Sequence, residues 1–279
     1  MTPRELLKLL SAEMAAAGVP DADIDAQLLL SHVTGQNPLN LRLDGWSQVS
    51  LADEEQFRAL CEKRKTRTPL QYLTGVQSFL GRDFHVDERV LIPRPETELL
   101  AERAIALLRE EKYPPTALDL CCGSGCLAVS MALGDPRADV HAADLSEGAL
   151  AVTKMNAERL HAKVTLHQGD LFDALSIHQL YQVIVSNPPY IPAADCLELQ
   201  EEVLREPMMA LDGGADGYDF YRRIAENAPR FLHAGGTLLM EVGFDQAERV
   251  MALCQEAGLT PVAIHEDYQH IARMVEARL

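Results

Sequence analysis

The sequence predicts an α/β fold, a doubly wound sheet that is parallel except for its last strand, preceded by a small all-α N-terminal domain. Three observations predict it. From Thr116 onward, short apolar runs alternate with segments of helical period, the mark of successive βαβ units. Residues 1–75 carry helical periodicity and nothing strand-like. The two final strand-like runs, Pro261 to His265 and Arg273 to Ala277, are joined by a link too short for a parallel crossover, which makes the terminal strand antiparallel.

The elements follow in order. Thr2-Pro3 caps and starts a helix with Leu6, Leu7, Leu9 and Leu10 on its apolar face. Asp21 to Val33 forms a second, with Ile24, Leu28 and Leu29 facing inward, until Gly35 and Pro38 break it. Leu51 to Lys65 is a third, burying Phe57 and Leu60, with Asp53-Glu54-Glu55 near its positive end. This domain, 1–75, is expected to serve substrate recognition. Residues 76–92 read as a β-hairpin linker interrupted by Gly81. Residues 93–279 form the catalytic domain, entered through a helix from Pro95 to about Arg109. Its strands are Ala117–Leu120, Ala138–Ala143, Val164–His167, Tyr181–Ser186 and Thr237–Val242, then the final pair. Its further helices are Leu127–Leu133, Glu147–Leu160 and Gln246–Glu256.

Composition narrows the function. Of 279 residues 47% are hydrophobic, enough for a full core. No apolar run approaches the roughly 20 residues of a membrane span. Met1-Thr-Pro-Arg-Glu lacks a signal-peptide core, so a cytoplasmic protein with reduced cysteines is expected. A monomer is the expected state, on no motif of its own. Net charge is −17; residues 1–80 hold 8 Lys/Arg against 10 Asp/Glu, and the remainder 17 against 32. Such a field repels a nucleic-acid backbone, so DNA is not an expected partner. The basic run Lys63-Arg64-Lys65-Thr66-Arg67 is the exception, either a solvated helix end or a docking patch for an acidic partner or RNA. Cys121, Cys122 and Cys126 have no further ligand at zinc-like spacing, so no metal site is expected.

Ligands of open α/β sheets bind at the carboxyl ends of the strands. Asp119-Leu-Cys-Cys-Gly-Ser-Gly125 lies between the first strand of the sheet and its helix, and Gly123 and Gly125 allow close backbone approach. Asp144 ends the next strand, about 20 residues on, where an acid takes ribose hydroxyls. Asp170-Leu171 follows the third, suited to the edge and face of a base. Gly123-x-Gly125-x-x-Ala128 also fits a relaxed dinucleotide fingerprint, which keeps NAD as a rival. Asp119 favours a cationic ammonium, as in the methionine part of S-adenosylmethionine, over a pyrophosphate.

The fourth strand ends abruptly at Asn187-Pro188-Pro189-Tyr190. Neither proline can donate to a ladder, and each stiffens the residue before it. The Asn187 amide oxygen and the Pro188 carbonyl are then two acceptors suited to one planar NH2 group, with the Tyr190 ring beside them. A plain strand-ending turn is the rival reading.

Taken together, Asp119–Gly125, Asp144 and Asn187–Tyr190 resemble class I (Rossmann-like) S-adenosylmethionine-dependent methyltransferases. Adding Leu91-Ile-Pro-Arg-Pro-Glu-Thr-Glu98, Glu206-Pro207, Ala210-Leu211, Asp216-Gly217 and Leu239-Met-Glu-Val-Gly243, nearly the whole chain resembles one branch, the peptide chain release factor N5-glutamine methyltransferases (HemK/PrmC family). The resemblance implies that Cys121, Cys122, Gly123, Ser124 and Gly125 cradle the methionine part of the cofactor. It implies that Asp144 binds the ribose, that Asp170 and Leu171 border the adenine, and that Asn187, Pro188, Pro189 and Tyr190 hold a glutamine amide of a class I release factor. Cys121 stands where this family usually has glycine; its backbone is expected to stay in an allowed region, with a slightly altered turn. Phe79 and Arg94 are candidates for covering the site. Glutamine methylation of a ribosomal protein, adenine-N6 methylation of DNA and a non-catalytic module are the competing readings.

Overall fold

Reciprocal capping starts the chain. In the computed structural model, which describes all 279 residues, the Thr2 hydroxyl accepts from Glu5 N at 3.3 Å and the Glu5 carboxylate accepts from Thr2 N at 3.0 Å. Helix α1 (Pro3–Ala16) follows and buries Leu6, Leu7, Leu10 and Met14; Leu9, expected inside, is exposed. Helix α2 (Ala22–Thr34) buries Asp25, Ala26, Leu29 and Leu30, whereas Ile24 and Leu28 face solvent, against expectation. Pro38 starts helix α3 (Pro38–Leu43), which the sequence reading did not foresee: Asn37 caps it at 2.9 Å and proline suits a first turn. Helix α4 (Leu51–Lys65) has the expected bounds, and the short α5 (Leu70–Thr74) completes the helical part.

The basic run is not a free patch. Arg64 is buried, donating to Asp25 Oδ2 at 2.7 Å and to Glu202 Oε1 at 2.9 Å. Arg67 donates to the other oxygen of Glu202 at 2.5 Å, and Lys65 pairs with Glu13 and Glu62. These pairs explain the α2 face, because Asp25 is drawn inward by a cation, and they correct both readings of the run. They also explain why Gln200–Arg205 groups with Met1–Val76 as one compact unit.

The second unit comprises Gln77–Leu199 and Glu206–Leu279. Strands β1 (Val76–Phe79) and β2 (Arg82–His85) make the expected hairpin, turning on Leu80 and Gly81 at φ 48° and 69°. Helix α6 (Pro95–Glu110) leads to β3 (Thr116–Leu120), α7 (Cys126–Gly134), β4 (Asp139–Asp144), α8 (Glu147–Arg159), β5 (Thr165–Gln168) and β6 (Tyr181–Ser186). Helix α9 (Asp219–Asn227), absent from the sequence reading, precedes β7 (Leu232–Glu241), α10 (Ala247–Glu256), β8 (Thr260–Glu266) and β9 (Ala272–Arg278).

The seven-stranded sheet has the order β5-β4-β3-β6-β7-β9-β8. Strands β3 to β7 pair in parallel, and β9 runs antiparallel to both β7 and β8, as the short link required. Successive residues alternate between two cores: Val183 and Val185 join the side of α6, α7 and α8, and Ile184 joins the side of α9 and α10. Chain order reverses between the adjacent β3 and β6. That switch point is where an open α/β sheet offers a crevice at its carboxyl edge.

Candidate active site

The turn after β3 is pinned from α8. Thr153 donates to Gly123 O at 2.9 Å and Asn156 to Ser124 O at 2.9 Å. A Cβ on Gly125 (φ 77°) would fall 2.5 Å from Thr153 Cγ2, so only glycine fits there. Cys121 stands at φ 60°, which corrects the expectation of an allowed backbone: cysteine occupies the left-handed conformation that glycine adopts freely. A Cβ on Gly123 would meet nothing within 4 Å, because that side opens onto a cavity.

This cavity, about 300 Å³, lies at the switch point. The structure brings together on its wall Cys121, Gly123, Asp144, Asp170, Leu171, Asn187 and Pro189, the ends of four consecutive parallel strands. A larger open groove of about 550 Å³ by Asp139 and Thr165, at the other end of the strands, holds none of the motifs. Asp144 accepts from Gly123 N at 2.9 Å through Oδ2 and from Ser146 N at 2.8 Å through Oδ1, leaving further lone pairs on both oxygens. Burial raises its pKa, opposed by those backbone donors. Asp170 pairs with Arg223 at 2.7 Å.

Other predicted residues lie behind the wall. Asp119 is fully buried; its Oδ2 accepts from Ala128 N at 3.0 Å, and its Oδ1 has no partner. Burial pushes its carboxyl up to about 8. It therefore secures the start of α7 and does not face the cavity, as a direct ammonium ligand would. Cys122, Ser124 and Gly125 shape the turn from beneath. Pro188 is buried, and the Tyr190 ring lies off the cavity, on the side of Glu241, Arg94 and Arg273. Phe79 is core, edge-on to Phe84 at 5.9 Å, and covers nothing. Arg94 is paired with the buried Glu206, which also accepts from Ile92 N at 2.9 Å and so fixes the segment carrying Val90 and Leu91 along the cavity.

Sequence reasoning missed Phe220 and Arg223, both on the cavity wall, because α9 went unrecognised; the spacing of Tyr221, Ile224 and Ala225 on one face was its signal. It also missed the partners of Asn187. Asn187 Nδ2 donates to Thr97 Oγ1 at 3.3 Å, and Thr97 Oγ1 donates to Glu241 Oε2 at 2.6 Å. The Asn187 Oδ1 and the Pro188 carbonyl accept no hydrogen bond within the chain. The corner's backbone is clamped by the 211–217 loop: Ile191 N donates to Leu211 O at 3.0 Å, and a Cβ on Gly213 would come within 2.7 Å of Tyr190 Cα.

The matching family models are the PrmC N-terminal domain over residues 5–75 and the methyltransferase small domain over residues 97–215. A release factor glutamine methyltransferase of Geobacter sulfurreducens is 41% identical over the full length of this chain and 97% of its own. The chain belongs to the release factor glutamine methyltransferase family. A Bordetella pertussis relative of the same name is 41% identical, covering 96% of this chain and 98% of its own. A Pyrococcus furiosus methyltransferase crystal structure, 16% identical with a TM-score of 0.53, covers 72% of this chain and 90% of that one and shares the fold. The fold is thus that of class I methyltransferases, with a helical N-terminal part. No helix is long and apolar enough to cross a membrane.

The cavity fits the cofactor of such folds. Gly123 leaves room for close approach, Asp144 offers two carboxylate oxygens to neighbouring hydroxyls, and Leu171 and Phe220 give apolar surface for a base.

Proposed function

We propose that this protein transfers a methyl group from S-adenosylmethionine to the side-chain nitrogen, N5, of the glutamine in the Gly-Gly-Gln loop of class I peptide chain release factors. The observation that carries this reading is the Asn187 corner. Two oxygens, the Asn187 amide and the Pro188 carbonyl, are unengaged within the chain, and Pro189 of the same corner lines the cofactor cavity. The names of relatives at 41% identity support the choice of substrate.

A glutamine amide nitrogen is a poor nucleophile because its lone pair is delocalised into the carbonyl. Asn187 Oδ1 and the Pro188 carbonyl accept its two N–H hydrogens, which favours a pyramidal nitrogen with its lone pair aimed into the cavity. These bonds strengthen as positive charge develops on nitrogen, which is selective stabilisation of the transition state. When bound, S-adenosylmethionine would supply an electrophilic methyl carbon to that nitrogen; the sulfur–methyl bond would break, S-adenosylhomocysteine would leave, and one N–H proton of the amide would pass to solvent. Asp144 would hold the ribose hydroxyls, Asp170 and Leu171 the adenine, and the 121–125 backbone the methionine part. Fixed backbone on both sides of the reacting atoms supplies orientation, which carries much of the rate in a displacement. Tyr190 bounds the substrate side of the corner, away from the cofactor.

In this reading residues 93–279 are the catalytic domain, 76–92 a hairpin linker and 1–75 a recognition domain for the release factor. The protein acts in the cytoplasm as a monomer and uses neither metal nor DNA. Mass spectrometry of purified release factor after incubation with the protein and S-adenosylmethionine is the test. One added methyl on the loop glutamine is expected; methylation of DNA or of a ribosomal protein in its place would overturn the reading.

A further inference from the structure

An asparagine amide has two ends of nearly equal shape, and only its neighbours decide which end points where. At Asn187 the choice is decisive. With Oδ1 outward it accepts from a substrate NH2; with Nδ2 outward it would set donor against donor.

We propose that Thr97 and Glu241 are positioning residues for methyl transfer, a directed hydrogen-bond relay that turns the Asn187 amide so that its oxygen, not its nitrogen, meets the substrate. Thr97 sits in the first turn of α6, Glu241 at the carboxyl end of β7 and Asn187 just past β6, so three separate elements converge. A hydroxyl has one hydrogen to give. Thr97 Oγ1 lies 2.6 Å from Glu241 Oε2, and the carboxylate is the stronger acceptor, so the hydrogen goes there. Only lone pairs then remain on Thr97 for Asn187, 3.3 Å away, and Asn187 must answer with its N–H. Both Thr97 and Glu241 are almost wholly buried, so water does not substitute for either.

The relay's polarity depends on the Glu241 charge. Around its carboxyl stand Glu96 and Thr97 from α6, Cys126 from α7, Asn187 and Tyr190 from the corner after β6, Tyr221 from α9 and Arg273 from β9, with the Asn187 amide also bonding toward it; Arg94 faces Tyr190. Burial outweighs these bonds and raises the Glu241 pKa to about 7. A protonated Glu241 can donate to Thr97, freeing the Thr97 hydrogen for Asn187 Oδ1 and reversing the amide.

The inference rests on the proposed glutamine methylation, and its test separates the two. Release factor methylation is measured with wild type, Thr97→Val, which keeps shape and loses the hydroxyl, and Thr97→Ser, which restores it. Cofactor affinity is measured by calorimetry on each. The expected result is a kcat at least about tenfold lower in Thr97→Val, with release-factor KM and cofactor Kd within about threefold of wild type. Thr97→Ser should recover most of the loss. A Thr97→Val kcat equal to that of an active wild type overturns the relay and leaves the methylation reading standing; a wild type that transfers no methyl overturns both. If Thr97→Val does not fold, the pH profile decides: the wild-type kcat should rise with pH around 7, and Glu241→Gln should flatten that rise. A rise unchanged in Glu241→Gln overturns the relay.

Discussion

Asp119 Oδ2 accepts from Ala128 N at 3.0 Å, and the other Asp119 oxygen is buried with no partner. A carboxylate so placed is satisfied on one side only. Burial raises its folded pKa to about 8 from 3.8. The fold therefore favours the protonated form: this stabilisation is complete below about 4 and is lost as pH rises toward 8. Wild type should lose stability, on the order of a few kcal/mol, between pH 5 and pH 8, and Asp119→Asn should lose clearly less, the remainder coming from Glu241 and Asp144, whose carboxyls burial also raises. Urea unfolding at both pH values checks it; parallel pH dependence in the two proteins would contradict the assignment.

Cys121 at φ 60° holds a conformation that costs a non-glycine residue about 1–3 kcal/mol. Cys121→Gly should be at least as stable as wild type, because lost strain offsets the small side chain. Cys121→Val, branched at Cβ, should be less stable by about 2 kcal/mol. Denaturant midpoints decide; a valine variant as stable as wild type would mean the backbone there is not constrained.

Asp144 links the turn to the next strand, with Gly123 N and Ser146 N on its two oxygens. Removing it takes away the proposed ribose acceptor as well as the tether of Gly123. Asp144→Ala should weaken cofactor binding about 10–100-fold, the cost of losing hydrogen bonds to a charged group. Calorimetry gives the answer, and an unchanged Kd would exclude the ribose role.

The helical unit has its own pH dependence. Hydrogen bonds from Arg67 and then Arg64 depress Glu202 to about 2 from 4.5. A lowered carboxyl pKa gives stability that is present above about 4.5 and lost as pH falls toward 2. Glu202→Gln should therefore flatten acid unfolding of this unit, followed by circular dichroism. Arg64→Ala, which strands the buried Asp25 beside Glu202, should cost about 3–5 kcal/mol at neutral pH. A loss below 1 kcal/mol would show that the buried pairs are not structural.

What the sequence made legible was local. β6 has the predicted bounds because a β-branched run ends at two prolines, and the antiparallel finish follows from the length of one link. What it hid was non-local or conditional. Thr97 and Glu241 are 144 residues apart, and no spacing marks them as partners of Asn187. Asp25 sits on the buried face of α2 because Arg64, 39 residues later, reaches it, so hydrophobic periodicity put Ile24 and Leu28 on the wrong side. α9 is nine residues long with four charged side chains, too short and polar for its period to stand out, and it carries Phe220 and Arg223. The backbone angle of Cys121 depends on the turn that α8 pins, which the residue type alone argues against.

The central claim is that the Asn187 oxygen accepts from the amide nitrogen being methylated. The most direct measurement is methyl transfer to a release factor by Asn187→Ala, alongside its affinity for S-adenosylmethionine. The account predicts kcat about 10²–10³-fold lower with cofactor Kd within a few-fold of wild type. Transfer at the wild-type rate by a variant that binds cofactor normally would contradict it.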